Sequence, residues 1–295
     1  MLVNGEWNGA WKPSDDDGDG RFVRKPSSFR DRTLVDEPGR YHLYVALICP
    51  WAHRVRLALA LKGRAADFPV HVVEPELSEQ GWAFAPGADP LHGSTHLWQL
   101  YTRTDASYTG RATVPLLWDT RTDRAVNNES ADLVAMIDAL PSEHPSLRPA
   151  EHLPELDALN ADLYTRLNNG VYRAGFATTQ AAYDHAVTDV FACMEALEAR
   201  LADGREWLLG DRLTEADLRL FATLIRFETA YYTLFKCSRR RLSEHPALLA
   251  HARRFLALPG VAETVSFDHI RRGYFSIRRL NPSGIVPSGP ENPLG

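Results

Sequence analysis

A small α/β unit followed by an all-helical one is the fold class that the sequence predicts, and three observations predict it. Residues 41–48 form an apolar run with Val and Ile that passes at once into Pro50 and a helical pattern. Thr113-Val114-Pro115-Leu116-Leu117-Trp118 reads as a strand that turns back through residues 119–124 into Ala125-Val126. From about residue 150 onward, apolar residues recur almost purely at helical spacing.

The elements follow in order. Residues 1–40 are rich in Gly, Pro, Asp and Arg without a sustained period, which predicts an extended lead-in segment. The first helix opens at Pro50, runs through residues 52–62 and closes at Gly63, the usual placing of Pro in a first turn and Gly past the end. Residues 70–73 are a second short strand. Asn128 is placed to cap a helix over about 129–140, so the α/β unit spans 41–141. The helical unit spans 150–280. In it, Val187, Val190, Phe191, Met194, Leu197 and Leu201 share one stripe, and Thr214 with Asp217 forms a capping box. The following helix is apolar on more than one side, which makes it central to its bundle. Residues 281–295 hold too many Pro and Gly for a helix and are expected to run over the surface.

Charge and composition narrow the function classes. At 295 residues the chain exceeds the roughly 100–200 residues of an ordinary domain. It carries 33 basic and 38 acidic residues, a net charge of −5. That balance gives no general attraction to nucleic acid or an anionic membrane. No apolar stretch approaches a membrane span, and the first residues lack the basic start and apolar core of a secretion signal. Three cysteines, Cys49, Cys193 and Cys237, are too few for a disulfide framework. A cytoplasmic protein is expected.

Three constellations point to chemistry. In Cys49-Pro50-Trp51-Ala52-His53-Arg54 the cysteine lies between a buried strand and a helix N-terminus, where unsatisfied N–H groups and the helix dipole favour a thiolate. An inert core cysteine is the competing reading of that position. Ala52 stands where a resolving cysteine would be, so an external thiol must complete any redox cycle. Val114-Pro115 breaks a strand-like run, which suggests an edge or a bend beside the thiol. Asn128-Glu129-Ser130 opens a helix whose N–H groups suit a carboxylate, while Glu129 suits an ammonium. An ordinary cap explains the same residues.

Together these features resemble the glutathione transferase superfamily, with a thioredoxin-like N-terminal domain and an all-helical C-terminal domain. The sharper resemblance is to the Xi class, the glutathionyl-hydroquinone reductases. It rests on the Cys49–Arg54 stretch, Gly81-Trp82-Ala83-Phe84, Thr113 to Asp119, Asn127-Asn128-Glu129-Ser130, Asn168 to Ala177, Arg226 to Tyr231, Phe267-Asp268-His269-Ile270, Tyr274 and Asn281 to Pro287. The resemblance implies that Cys49 is the nucleophile. It implies glutathione binding by Trp82, Arg111, Val114, Glu129 and Ser130, with Val114 pairing through its backbone, Pro115 cis, and Glu129 and Ser130 holding the γ-glutamyl end. It also implies that Tyr172, Tyr231 and Tyr274 surround the thiol and the aromatic substrate; amphipathic tyrosines packed between domains are the alternative. Tyr274-Phe275-Ser276 departs from a two-tyrosine run common in the family.

The implied activity is the glutathione-dependent reduction of S-glutathionyl-hydroquinones by a homodimer, with glutathione as co-substrate and no metal or nucleotide. A broader Cys-type thiol transferase or a reductive dehalogenase is the nearest alternative. A non-catalytic binding protein with a transferase fold is a further one. Other groups carry less. Asp15, Asp17, Asp19 and Gly20 mimic the start of a calcium loop, but Pro26 occupies the closing Glu position. His92 and His96 lack a third ligand nearby, and Arg239-Arg240-Arg241 reads as an exposed face. Cys193 falls on a core stripe, whereas Cys237, beside Lys236 and Arg239, is a candidate for reactivity.

Overall fold

The computed structural model describes residues 1–9, 15–16, 18–291 and 293–295. Two units emerge: Met1–Pro13 with Pro26–Pro145, and Ser14–Lys25 with Ser146–Gly295. The segment read as a single lead-in over 1–40 is therefore divided between them, and the tail at 281–295 belongs with the helical unit.

In chain order the first elements are the hairpin β1 (Leu2–Val3) and β2 (Glu6–Trp7), then the pair β3 (Asp15–Asp16) and β4 (Phe22–Val23). The α/β unit continues with β5 (Tyr41–Val45), α1 (Pro50–Leu61), β6 (Val70–Val72), β7 (Leu77–Ser78), β8 (Gly81–Trp82), α2 (Trp98–Thr104), β9 (Leu116–Asp119), β10 (Arg124–Asn127) and α3 (Ser130–Asp138). Its main sheet has the order β10-β9-β5-β6. The α1 crossover returns the chain so that β6 lies parallel to β5, while β9 and β10 are antiparallel to their neighbours. This is the thioredoxin-like arrangement. Leu43 lies opposite Leu117 and His42 opposite Trp118, so these two pairs fall on opposite faces of the sheet.

Three local expectations change. The first strand ends at Val45, not Ile48, because the Ala46 carbonyl turns to accept the Cys49 N–H at 2.9 Å before α1 begins. The Val114-Pro115 bond is cis, as the resemblance implies, but the strand read from Thr113 starts only at Leu116, since Pro115 has no N–H to give a ladder. β9 lies between β10 and β5, so the break falls at the start of an inner strand and not along an edge strand. Glu129, not Asn128, caps α3, its carboxylate accepting the Ala131 N–H at 3.2 Å. Asn128 instead receives the Phe29 N–H at 2.9 Å and donates to the Tyr101 hydroxyl at 3.0 Å.

The helical unit holds α4 (Leu153–Asp162), which runs into a π-turn at Leu163–Asn168, then α5 (Gly170–Gly175), α6 (Gln180–Leu201), α7 (Glu215–Arg226) with a second π-turn at Phe227–Tyr231, α8 (Pro246–Leu256) and α9 (Phe267–Phe275). Every residue of α7 is buried, as its all-round apolar pattern predicts. Asn168 ties the first π-turn to α7 through the Arg219 carbonyl at 3.1 Å and the Thr223 hydroxyl at 2.8 Å. Gly20 has φ +84°, and a Cβ there would come within 2.7 Å of the Thr178 hydroxyl, so this short segment can lie on the α6 N-terminus only with glycine. No helix among the described residues is long and apolar enough to cross a membrane.

The expected capping box is present and does more than cap. One Asp217 oxygen accepts the Thr214 N–H at 2.9 Å; the other accepts the Leu208 N–H at 2.8 Å and contacts His251 Nε2 at 3.0 Å. Asp217, Thr214 and His251 are all fully buried. Asp217→Ala strands two buried N–H donors and the imidazole, and should cost about 3–5 kcal/mol. The shift of the denaturant midpoint at constant m-value measures it, and a loss near zero would show that the box is dispensable.

Candidate active site

Cys49 occupies the N-cap of α1 with extended backbone (φ −75°, ψ 119°), and it is half-buried. The following Pro50 sits at the first helical position, where a missing N–H costs nothing. The Cys49 carbonyl accepts the His53 N–H at 3.0 Å, which closes the first turn beneath the sulfur. The thiol donates to the Val114 carbonyl across 3.6 Å. Two influences therefore meet on one atom. The helix N-terminus favours the thiolate, while the carbonyl acceptor favours the thiol.

The other residues expected to bind glutathione lie in the same unit. Val114 is buried, immediately before β9. Tyr101 holds the bend in place: its hydroxyl donates to the Thr113 carbonyl at 2.7 Å, accepts the Thr113 N–H at 3.0 Å and receives the Asn128 amide. Burial pushes the Tyr101 phenol well above its ordinary range, so it remains a neutral donor. Asn128 thus connects the Val114 bend to the N-terminus of α3. There Ser130 is buried and Glu129 is half-buried, one Glu129 oxygen on the Ala131 N–H and the other 2.9 Å from the Ser27 hydroxyl. Trp82 lies on β8, with its carbonyl accepting the Leu97 N–H at 2.9 Å. The carbonyl of half-buried Arg111 accepts the Tyr108 hydroxyl at 3.1 Å.

Tyr172, Tyr231 and Tyr274 come together in the helical unit. They start from α5, the second π-turn and α9, and their hydroxyls form a chain, Tyr172 to Tyr274 at 2.6 Å and Tyr274 to Tyr231 at 2.8 Å. Phe235 packs against all three rings, with centroids 5.2 to 5.5 Å away. Phe22 of β4 stacks on Tyr172, and the Arg24 guanidinium lies 5.0 Å from the Tyr172 ring centroid. Burial raises the phenols of Tyr231 and Tyr274 well above the usual range, reinforced by Tyr172 and opposed by buried Arg226. Tyr231 and Tyr274 therefore keep their protons at neutral pH and can donate within the hydroxyl chain.

Tyr101, Asn128, Ser27 and Phe235 were not among the residues picked from the sequence for these roles. Asn128 has the composition of a helix cap, and Tyr101 lies on α2, a seven-residue helix too short to show a period. The remaining candidates resolve separately. His92 bonds Asp123 at 2.7 Å and His96 contacts Thr95 at 3.0 Å. Among the described residues no group of three or more His, Cys, Asp or Glu is arranged to hold a metal ion. The aspartate stretch weighed for calcium includes Asp17, which lies outside the described residues. Arg239 donates to the Thr188 hydroxyl, Arg240 to the Glu244 carbonyl and Arg241 to the Glu228 carboxylate. Cys237, expected as a reactive candidate, is fully buried, and burial pushes its thiol up to about 12 despite Lys236. Cys193 is buried on its helix stripe and likewise raised to about 12, with Asp162 adding to the effect.

Comparison with known proteins gives a consistent picture. Residues 48–140 match the glutathione S-transferase N-terminal domain family, and residues 180–254 match the glutathione S-transferase C-terminal domain family. The chain is 45% identical over 309 residues to glutathionyl-hydroquinone reductase PcpF of Sphingobium chlorophenolicum, a match covering 100% of this chain and 97% of that protein. It is similar to the crystal structure of glutathione-S-transferase Xi from Phanerochaete chrysosporium, with a TM-score of 0.90 and 39% identity over 95% of this chain and 96% of that one. It is also similar to the glutathione-bound structure of YqjG from Escherichia coli K-12, with a TM-score of 0.87 and 41% identity over 100% of this chain and 97% of that one.

The three thiols should differ sharply in reactivity. Because the Cys193 and Cys237 pKa values are raised to about 12, both stay protonated from pH 7 to pH 9 in the folded protein. Iodoacetamide labelling followed by peptide mapping should mark Cys49 alone until denaturant is added. Labelling of Cys237 in the native protein at the rate of Cys49 would contradict its burial.

Proposed function

This chain belongs to the Xi class of glutathione transferases, the glutathionyl-hydroquinone reductases, and from that membership we propose how its own residues carry the reaction. It reduces S-glutathionyl-hydroquinones to hydroquinones with glutathione as co-substrate. The observation that carries the assignment of roles is the Cys49 sulfur at the N-terminus of α1, opposite the Val114 carbonyl.

The glutathionyl part of the substrate binds along residues of the α/β unit. Its cysteinyl N–H takes the Val114 carbonyl, and its γ-glutamyl end meets Glu129 and Ser130, with Trp82 and Arg111 completing the site. By competing for the Val114 carbonyl, the substrate removes the acceptor that favours the Cys49 thiol. The sulfur is left to the helix N-terminus, which favours the thiolate. Binding of the substrate at the Val114 carbonyl thus promotes ionisation of the nucleophile.

Cys49 thiolate attacks the substrate sulfur. A Cys49–glutathione S–S bond forms, the aryl C–S bond breaks, and its electron pair passes to the ring carbon of the keto form. A proton is delivered to that carbon or its oxygen, and Tyr172, the half-buried end of the hydroxyl chain, supplies it with Tyr274 and Tyr231 behind it. A second glutathione thiolate attacks the mixed disulfide, which releases glutathione disulfide and regenerates Cys49. The ring gains two electrons and a proton, and two glutathione sulfurs are oxidised to a disulfide. A cysteine nucleophile suits this direction because it forms the mixed disulfide itself instead of activating a glutathione thiol. We also place the protein in the cytoplasm, where its three thiols persist reduced, and as a homodimer on the strength of its family.

Cys49→Ala should abolish reduction and prevent any mass gain of one glutathione after incubation with glutathione disulfide, read by intact-mass spectrometry. Full activity in that variant would remove Cys49 from the mechanism. Glu129→Gln, which loses one ion pair to the substrate ammonium, should raise KM for the glutathionyl-hydroquinone by about tenfold with kcat little changed.

A further inference from the structure

Glu129 is an unusual helix cap. Short side chains (Ser, Thr, Asp, Asn) ordinarily fill this position, and a glutamate must fold back through three torsions to reach the first-turn amides. Its Oε1 does so with one bond, 3.2 Å from the Ala131 N–H. Its Oε2 is held from the other side by the Ser27 hydroxyl, which donates across 2.9 Å. With one protein donor on each oxygen, the carboxylate keeps roughly two of its four lone-pair sites for an incoming ammonium.

Ser27 is itself firmly placed. Two residues on, Phe29 and Asn128 exchange two bonds: Phe29 N–H to the Asn128 side-chain oxygen at 2.9 Å, and Asn128 N–H to the Phe29 carbonyl at 3.1 Å. Ser28 bonds the Tyr108 hydroxyl at 2.7 Å, and Arg30 makes an antiparallel bridge with Asn127 at the end of β10. Arg30 and Arg32 both pair with Asp132 in the first turn of α3. The segment is thus tied to the end of β10 and the first turn of α3, on either side of Glu129.

We propose that Ser27 is a positioning residue for substrate recognition, orienting the Glu129 carboxylate to receive the γ-glutamyl ammonium. The proposal rests on the role given to Glu129 above. Removing the hydroxyl leaves the carboxylate on one long bond, free to sample other rotamers that the ammonium must then select against.

The test is a mutant cycle on the full chain, with a glutathionyl-hydroquinone varied at saturating glutathione and the thermal midpoint recorded for each variant. Ser27→Ala should raise KM about fivefold with kcat and the midpoint little changed, and Ser27→Thr, which keeps the hydroxyl, should restore KM. In a Glu129→Ala background the Ser27→Ala change should have no further effect, because the group that it orients is gone. An equal KM increase in both backgrounds, or a fall in kcat together with the midpoint, would overturn the proposal in favour of a general structural role. An unchanged KM in Ser27→Ala while Glu129→Ala raises it would overturn the proposal and leave the Glu129 role intact. An unchanged KM in Glu129→Ala would remove that role itself.

Discussion

A single sulfur shared between a helix N-terminus and a backbone carbonyl is the constraint on which the proposed chemistry depends. The carbonyl is available because Pro115 cannot extend the ladder, which leaves Val114 outside β9. The helix start is available because the chain leaves β5 and turns at Ala46 within four residues of Pro50. Both supports are backbone geometry, so substitutions that spare Pro50 and Pro115 can alter the lining of the site without dismantling its centre. Tyr101 and Asn128 link that centre to the α3 terminus through buried hydrogen bonds, and they make the thiol and the anchoring end of the site parts of one network.

The tyrosine chain is built by a different logic. Phe235 packs on all three rings, and burial of Tyr231 and Tyr274 keeps the protons on those two hydroxyls. Buried Arg226 works against that, favouring the ionised form of Tyr231 and Tyr274, yet burial is the larger effect. Desolvation and a buried cation thus set a phenol group that donates without ionising. The two π-turns that lead into α5 and end at Tyr231 are where the helices depart from regular spacing, a common accompaniment of functional side chains.

Several readings failed for identifiable physical reasons. Asn128 has the composition of a cap, but its amide is more valuable inside the Tyr101 network, and Glu129 takes the cap instead. Proline in an apolar run signals an interrupted ladder, although not whether the strand lies at an edge; that depends on β10, which pairs from further along the chain. The charge next to Cys237 suggested an activated thiol, and complete burial overrides it. Residues 20–30 show no period because their order comes from bonds to distant partners such as Glu129, Asp132 and Thr178.

The amino-acid order alone determined the α/β and helical halves, the cysteine at a strand-to-helix junction, the Thr214–Asp217 box and the family, since each is written in contiguous residues through periodicity, capping chemistry or motif. Tertiary structure decided the rest. It chose which side chain caps α3, brought three tyrosines from separate elements onto one hydroxyl chain, and turned a featureless lead-in into a support for Glu129. Those outcomes depend on hydrogen bonds between residues up to 102 positions apart, and no local pattern encodes such a bond.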